Sequence, residues 1–252
     1  MQIELLGAGG YHPSPRRHTA CVFLPEAALA LDAGTAAFRL LRRVGEGALG
    51  ESRRLDVVLT HAHLDHVVGL THLLGMEHAG EPIETVVHAA PEVLAAIRQH
   101  LLAPALFPIQ PVTRFEPLAD PLRLPGGARV DWFPLDHPGG SLGLRVEHGG
   151  KSLAYVTDTR PPSQASIDRV RGVDVLLHEA YFADARRDFA HTTGHCTASQ
   201  AATVARAAGV GRLVMVHPDP RADEATEAAA LAEARRVFSD SQFGHDGQVI
   251  EV

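Results

Sequence analysis

Thr60-His61-Ala62-His63-Leu64-Asp65-His66 follows directly on the apolar run Leu55-Asp56-Val57-Val58-Leu59. Such a run reads as a buried strand, and the polar cluster at its end reads as the loop into which the strand delivers its side chains. Three imidazoles and a carboxylate within so short a stretch are donors suited to zinc and its neighbours. Alternate positions bring His61, His63 and Asp65 toward one ion, while His66 turns to a second. Two metals are therefore the first expectation. A chain with 16 histidines produces some clusters by chance, so the test is whether other strand ends supply the missing donors.

Three of them do. His137 stands just past an apolar strand in Trp132-Phe133-Pro134-Leu135-Asp136-His137. Asp158 ends Leu153-Ala154-Tyr155-Val156-Thr157, and His217 ends Leu213-Val214-Met215-Val216. A loop histidine or a turn aspartate is common on its own. The same design at four strand ends is not, and an acidic oxygen among the donors is what two neighbouring cations need to offset their repulsion.

The 252 residues and 26.9 kDa suit one α/β domain spanning residues 1–252. With 45% apolar and 21% charged residues the chain has material for a core, and disorder is not expected. A net charge of -7 argues against a long nucleic acid as partner, because such proteins spread positive charge over the binding face. Cys21 and Cys196 are too few and too far apart for a disulfide framework, which fits a reducing cytoplasm. No leader pattern opens the chain and no apolar run reaches membrane-span length, so a soluble protein without a membrane partner is expected.

Short strands are expected at Ile3 to Leu6, Thr19 to Leu24, Ala28 to Leu31, Leu55 to Thr60 and Thr85 to His88, with helices at Ala36 to Val44, His66 to Leu74 and Pro91 to Leu102. The proline-rich stretch Ala103 to Pro125 reads as a winding connection that could wall a pocket. Strands then follow at Arg129 to Pro134, Leu142 to Glu147 and Ser152 to Thr157, the last two joined by a His148-Gly149-Gly150-Lys151 turn. Helices at Ser163 to Val170, Thr197 to Ala208 and Asp223 to Phe238 alternate with strands at Val173 to His178, Arg212 to His217 and Gln248 to Val252. Each half is β-rich first and α/β later. Two facing sheets with helices outside, an αββα sandwich, explain this better than one doubly wound sheet.

These residues resemble the metallo-β-lactamase superfamily over nearly the whole chain. Thr60 to His66 is similar to its H-x-H-x-D-H signature, and Asp32 in Leu31-Asp32-Ala33-Gly34 to its early supporting aspartate. The resemblance implies that one metal takes His61, His63, His137 and Asp158, the other Asp65, His66, Asp158 and His217, with Asp158 bridging. Within the superfamily the chain is most similar to the ribonuclease Z and cyclic-phosphodiesterase branch, through Leu6-Gly7-Ala8-Gly9-Gly10, Leu177-His178-Glu179-Ala180 and Gly194-His195-Cys196-Thr197-Ala198. Cys196 stands where serine is usual. Asp158 follows His137 by only 21 residues, which leaves no room for the arm with which transfer-RNA-processing relatives grip RNA.

The chemistry this implies is hydrolysis of a small or cyclic phosphodiester, or of a short RNA end, by a water activated between two divalent ions. Zinc is the expected metal, and manganese or iron suit the same donors. Asp65 orients the water, His195 protonates the leaving oxygen, and Glu179 holds the His195 ring. The loops of His18 and His191 are two more that could face the pocket. Two other readings keep the fold. One is hydrolysis of a thioester, lactone or amide; the other is a metal-binding role in a pathway like that of pyrroloquinoline quinone. A homodimer is compatible with all three.

Overall fold

Leu55, Val57 and Leu59 point to one side of their strand and Val58 to the other, and all are buried, so this strand must be covered on both faces. The computed structural model, which describes residues 1–73, 75–109 and 113–252, meets that need with two facing seven-stranded sheets. The first runs, in spatial order, Gln248–Glu251, Gln2–Gly7, Cys21–Leu24, Leu29–Leu31, Arg54–Val58, Glu84–Ala89 and Thr113–Pro117. The second runs Ser241–Phe243, Arg212–Val216, Val175–Glu179, Lys151–Val156, Ser141–His148, Arg129–Leu135 and Leu122–Arg123. Each sheet changes from antiparallel to parallel partway across, at Leu29–Leu31 and at Lys151–Val156. That is the order the sequence suggests, hairpins first and helical crossovers later.

Between the sheets pack Leu29, Leu31 and Val58 from one side and Leu144, Tyr155 and Leu177 from the other. Outside the first sheet lie Leu40 and Val44 of the helix Ala37–Gly45. Outside the second lie Ala201 and Ala205 of Ala198–Ala208 and Ala234 of Glu224–Val237. The four layers are αββα. Each fully buried leucine or valine stabilises the fold by about 1.5–3 kcal/mol. Register is thereby fixed, because a one-residue slip would turn every such side chain to the wrong face.

Several expectations are corrected. Ala103–Pro125 is not merely a connection: it contributes the strand Thr113–Pro117 and the short strand Leu122–Arg123, an outermost strand of each sheet. Prolines are tolerated on edges, where one side of the strand needs no ladder. The described residues of this stretch do not wall the candidate site, and Pro111 within it lies outside the described residues. The helix expected from His66 begins earlier, as Leu64–Val67, and continues as a 3-10 segment, Val68–His72; its expected end, Leu74, lies outside the described residues. The helix after Pro91 is regular to Ala96 and then widens into a π-turn, Ile97–Leu101. Arg187–Thr193 forms a short helix, and Ser241–Phe243 a short edge strand, where none is expected.

Candidate metal centre

The strands Arg54–Val58, Arg129–Leu135, Lys151–Val156 and Arg212–Val216 release their chains at one end of the sandwich, and the candidate ligands gather there. His61, His63, His137 and Asp158 offer donor atoms within 4.8 Å of one another, as do Asp65, His66 and His217. Asp158 stands between the groups. Its Oδ1 lies 3.3 Å from His66 Nε2 and 3.2 Å from His217 Nε2, while Oδ2 lies 3.6 Å from both His61 Nε2 and His137 Nε2. Asp65 therefore does not join His61 and His63 as simple alternation suggests. It sits in the helical turn Leu64–Val67, where the strand period no longer applies, and its Oδ2 faces His217 Nε2 at 3.1 Å.

The outward ring nitrogens decide which ones are offered inward. His66 Nδ1 donates to Asp32 Oδ2 at 2.8 Å, His137 Nδ1 to the Gly194 carbonyl at 2.8 Å, and His61 Nδ1 to Thr60 Oγ1 at 3.0 Å. Each bond holds a proton on Nδ1 and turns Nε2 toward Asp158, the arrangement metal-ligating histidines show. His61 Nε2 is buried with no hydrogen-bond partner, which a cation would resolve. Burial, reinforced by His66, holds the His61 pKa well below its ordinary range, so the ring is neutral. Burial opposes charge on His66 too, but Asp158, Asp65 and Asp32 outweigh it and drive its pKa up. Three carboxylates thus demand positive charge at this point. The donor set fits divalent metal ions.

The frame beneath is tight. Asp32 adopts φ 58°, is wholly buried, and accepts from Thr60 N at 2.8 Å and Tyr155 Oη at 3.0 Å as well as from His66. Gly10 packs flat against the His217 ring, where an added Cβ would come within 2.4 Å. Gly194, at φ 89°, leaves no room either: a Cβ would meet Pro138 Cδ at 2.3 Å. At both positions the centre requires the absence of a side chain.

Across the cavity, His195 Nδ1 lies 3.0 Å from Glu179 Oε1. Glu179 is wholly buried and also accepts from the backbone N–H groups of Thr159, Tyr181 and Cys196 at 2.8, 3.2 and 3.1 Å. A carboxylate so bound cannot swing away. Burial disfavours a charged His195, but Glu179 outweighs it, and the pKa is pushed up to about 9. The ring lies nearly parallel to Tyr181, with centroids 4.4 Å apart. Cys196 is buried, its Sγ donating to the Thr159 carbonyl at 3.1 Å.

His63, Asp65, His137, Asp158 and His217 floor a cavity of about 430 Å³ whose walls include Tyr11, Leu64, Pro138, Tyr181 and Thr193. A wider depression of about 590 Å³, beside Arg129 and Lys151, lies at the far end of the second sheet and gathers no imidazole–carboxylate set. His18 turns to Thr35 and Phe38, and His191 is exposed; neither lines the cavity. His178 is buried and bonds the Glu179 carbonyl. Tyr11 and Tyr181 escape a reading of metal-ligand spacing, although each directly follows a segment that reading singles out, Gly9-Gly10 and Glu179-Ala180.

Comparison with known proteins agrees with this geometry. The model of the β-lactamase superfamily domain matches residues 29–218. The ribonuclease Z of Bradyrhizobium diazoefficiens is 28% identical over 306 aligned positions that cover 97% of each chain. That alignment exceeds the 252 residues here, so the relative carries insertions this chain lacks. The metallo-β-lactamase fold protein YhfI of Bacillus subtilis superposes with a TM-score of 0.77 at 18% identity, covering 99% of both chains. A diphosphatase of the PhnP family gives 0.75 at 19%, covering 100% of this chain and 96% of that one. From the strand-end candidate ligands to the family match, the chain belongs to the β-lactamase superfamily, and within it is similar to the ribonuclease Z proteins.

Proposed function

We propose that this metal-dependent hydrolase cleaves a small or cyclic phosphodiester at a two-metal centre. The observation that carries the reading is the division of Asp158, with one carboxylate oxygen toward each histidine group. His61, His63, His137 and Asp158 would hold one ion, and Asp65, His66, Asp158 and His217 the other. When bound, such a pair supplies an activated water and polarises the phosphoryl oxygen. Imidazole-rich coordination favours zinc, and manganese or iron suit the same shared carboxylate.

The chain's own residues then divide the remaining work. Asp65 is fixed by the Tyr11 N–H, which donates to its Oδ2 at 2.7 Å, and it orients the attacking water. His195 faces it across the cavity; with Nδ1 held by Glu179, its Nε2 presents the proton that the leaving oxygen needs. Glu179 positions that ring. A small substrate is supported by the compact link from His137 to Asp158, which is filled by the strand pair Ser141–His148 and Lys151–Val156. A phosphoryl substrate is supported by the names of the relatives, a ribonuclease and a diphosphatase.

His195→Ala tests the reading. Its turnover of bis(p-nitrophenyl) phosphate should fall by about 10²–10⁴-fold while metal content stays unchanged. Better activity on an ester or lactone, indifferent to the substitution, would overturn it.

A further inference from the structure

Tyr11 adopts φ 61°, a left-handed conformation that is an outlier for a bulky residue, costs roughly 1–3 kcal/mol and persists only where the surroundings impose it. A glycine would make the same turn without strain, and Gly9 and Gly10 stand next to it. The phenol ring is nonetheless there, 63% exposed, on the wall of the metal-site cavity. Leu64, on the same wall, is 68% exposed. Single exposed apolar side chains need no explanation, but two at one cavity mouth do.

Both are fixed relative to the centre by the backbone that places the ligands. Tyr11 N–H donates to Asp65 Oδ2, and Leu64 lies between His63 and Asp65. Pro138, next to His137, and Tyr181, parallel to His195, complete the walls. No lysine or arginine lines this cavity among the described residues. Arg221, the guanidinium that senses both tyrosines, is tied to Asp219 at 2.9 and 3.2 Å. Arg160 is likewise tied, to Asp136 and the His191 carbonyl. Apart from the cationic His195 beside the candidate ligands, the walls thus offer rings and hydroxyls.

We propose that Tyr11 and Leu64 form a platform for a flat apolar group, so that this site selects diesters with an aromatic substituent over alkyl diesters. The inference rests on the phosphodiesterase reading and names its substrate class. Stacking of a planar group on an aromatic side chain is expected to strengthen binding by about tenfold or more.

Phosphinates, whose P–C bonds are not hydrolysed, separate binding from cleavage. Calorimetry on the metal-loaded protein at pH 8.5 would compare diphenylphosphinate with dimethylphosphinate, for the intact chain, Tyr11→Ala and Leu64→Ala. Diphenylphosphinate should bind about tenfold tighter than dimethylphosphinate. Tyr11→Ala should erase most of its advantage over dimethylphosphinate, and Leu64→Ala part of it. Equal binding of the two phosphinates, or an advantage that survives both substitutions, overturns the platform. Cleavage of bis(p-nitrophenyl) phosphate is measured separately: its absence overturns the phosphodiesterase reading, whereas the phosphinate comparison still decides the platform.

Discussion

Gly194 shows how much of the site depends on single residues. Its φ of 89° and its contact with Pro138 leave no place for a side chain, and its carbonyl holds the His137 ring. Gly194→Ala should cost about 1–3 kcal/mol in denaturant unfolding and weaken metal binding, because His137 shifts with the loop. The next residue, His195, gives a pH signature. Its pKa in the folded chain, about 9, lies above the ordinary 6.5, so its contribution to stability is complete below about 6.5 and is lost as pH rises through about 9. In protein stripped of metal by a chelator, NMR should show its ring titrating near 9. Glu179→Gln should return that titration toward the ordinary value; an unmoved titration would mean that Glu179 does not hold the ring.

Strand ends are the elements that carry the chemistry, and their legibility in the sequence follows from that. An apolar strand closed by a histidine or aspartate is a local pattern, so His61, His137, Asp158 and His217 stand out without knowledge of the fold. Elements that lack an apolar stripe do not. Arg187–Thr193 is a largely exposed helix, and Thr113–Pro117 is a half-exposed edge strand ending in proline. The platform residues were hidden for a different reason: Tyr11 and Leu64 are exposed and follow no period, so only the assembled cavity reveals them. The strand Leu29–Leu31 ends at Asp32, whose left-handed backbone turns its carboxylate under His66. Asn tolerates that conformation, so Asp32→Asn should fold. Losing the charged acceptor behind a ligating imidazole should weaken metal binding by about 10–100-fold, read by competition with a chromophoric chelator.

For the whole molecule, the arrangement of two sheets was readable because each half changes from hairpins to alternating helix and strand. The pairing of ligands was not readable from spacing, and only the family resemblance supplied it, since it depends on Asp65 entering a helical turn and meeting His217 from the far end of the chain. Among the described residues no helix is long and apolar enough to cross a membrane, and both cysteines are free and buried. The central claim is that Asp158 joins two metal sites into one centre. Zinc titration of chelator-stripped protein by calorimetry tests it most directly, with the intact chain and Asp158→Ala side by side. Two ions per chain, with tight binding lost at both sites in the variant, is the result this structure calls for. A single ion per chain, or a variant that still binds two with unchanged affinity, would contradict it.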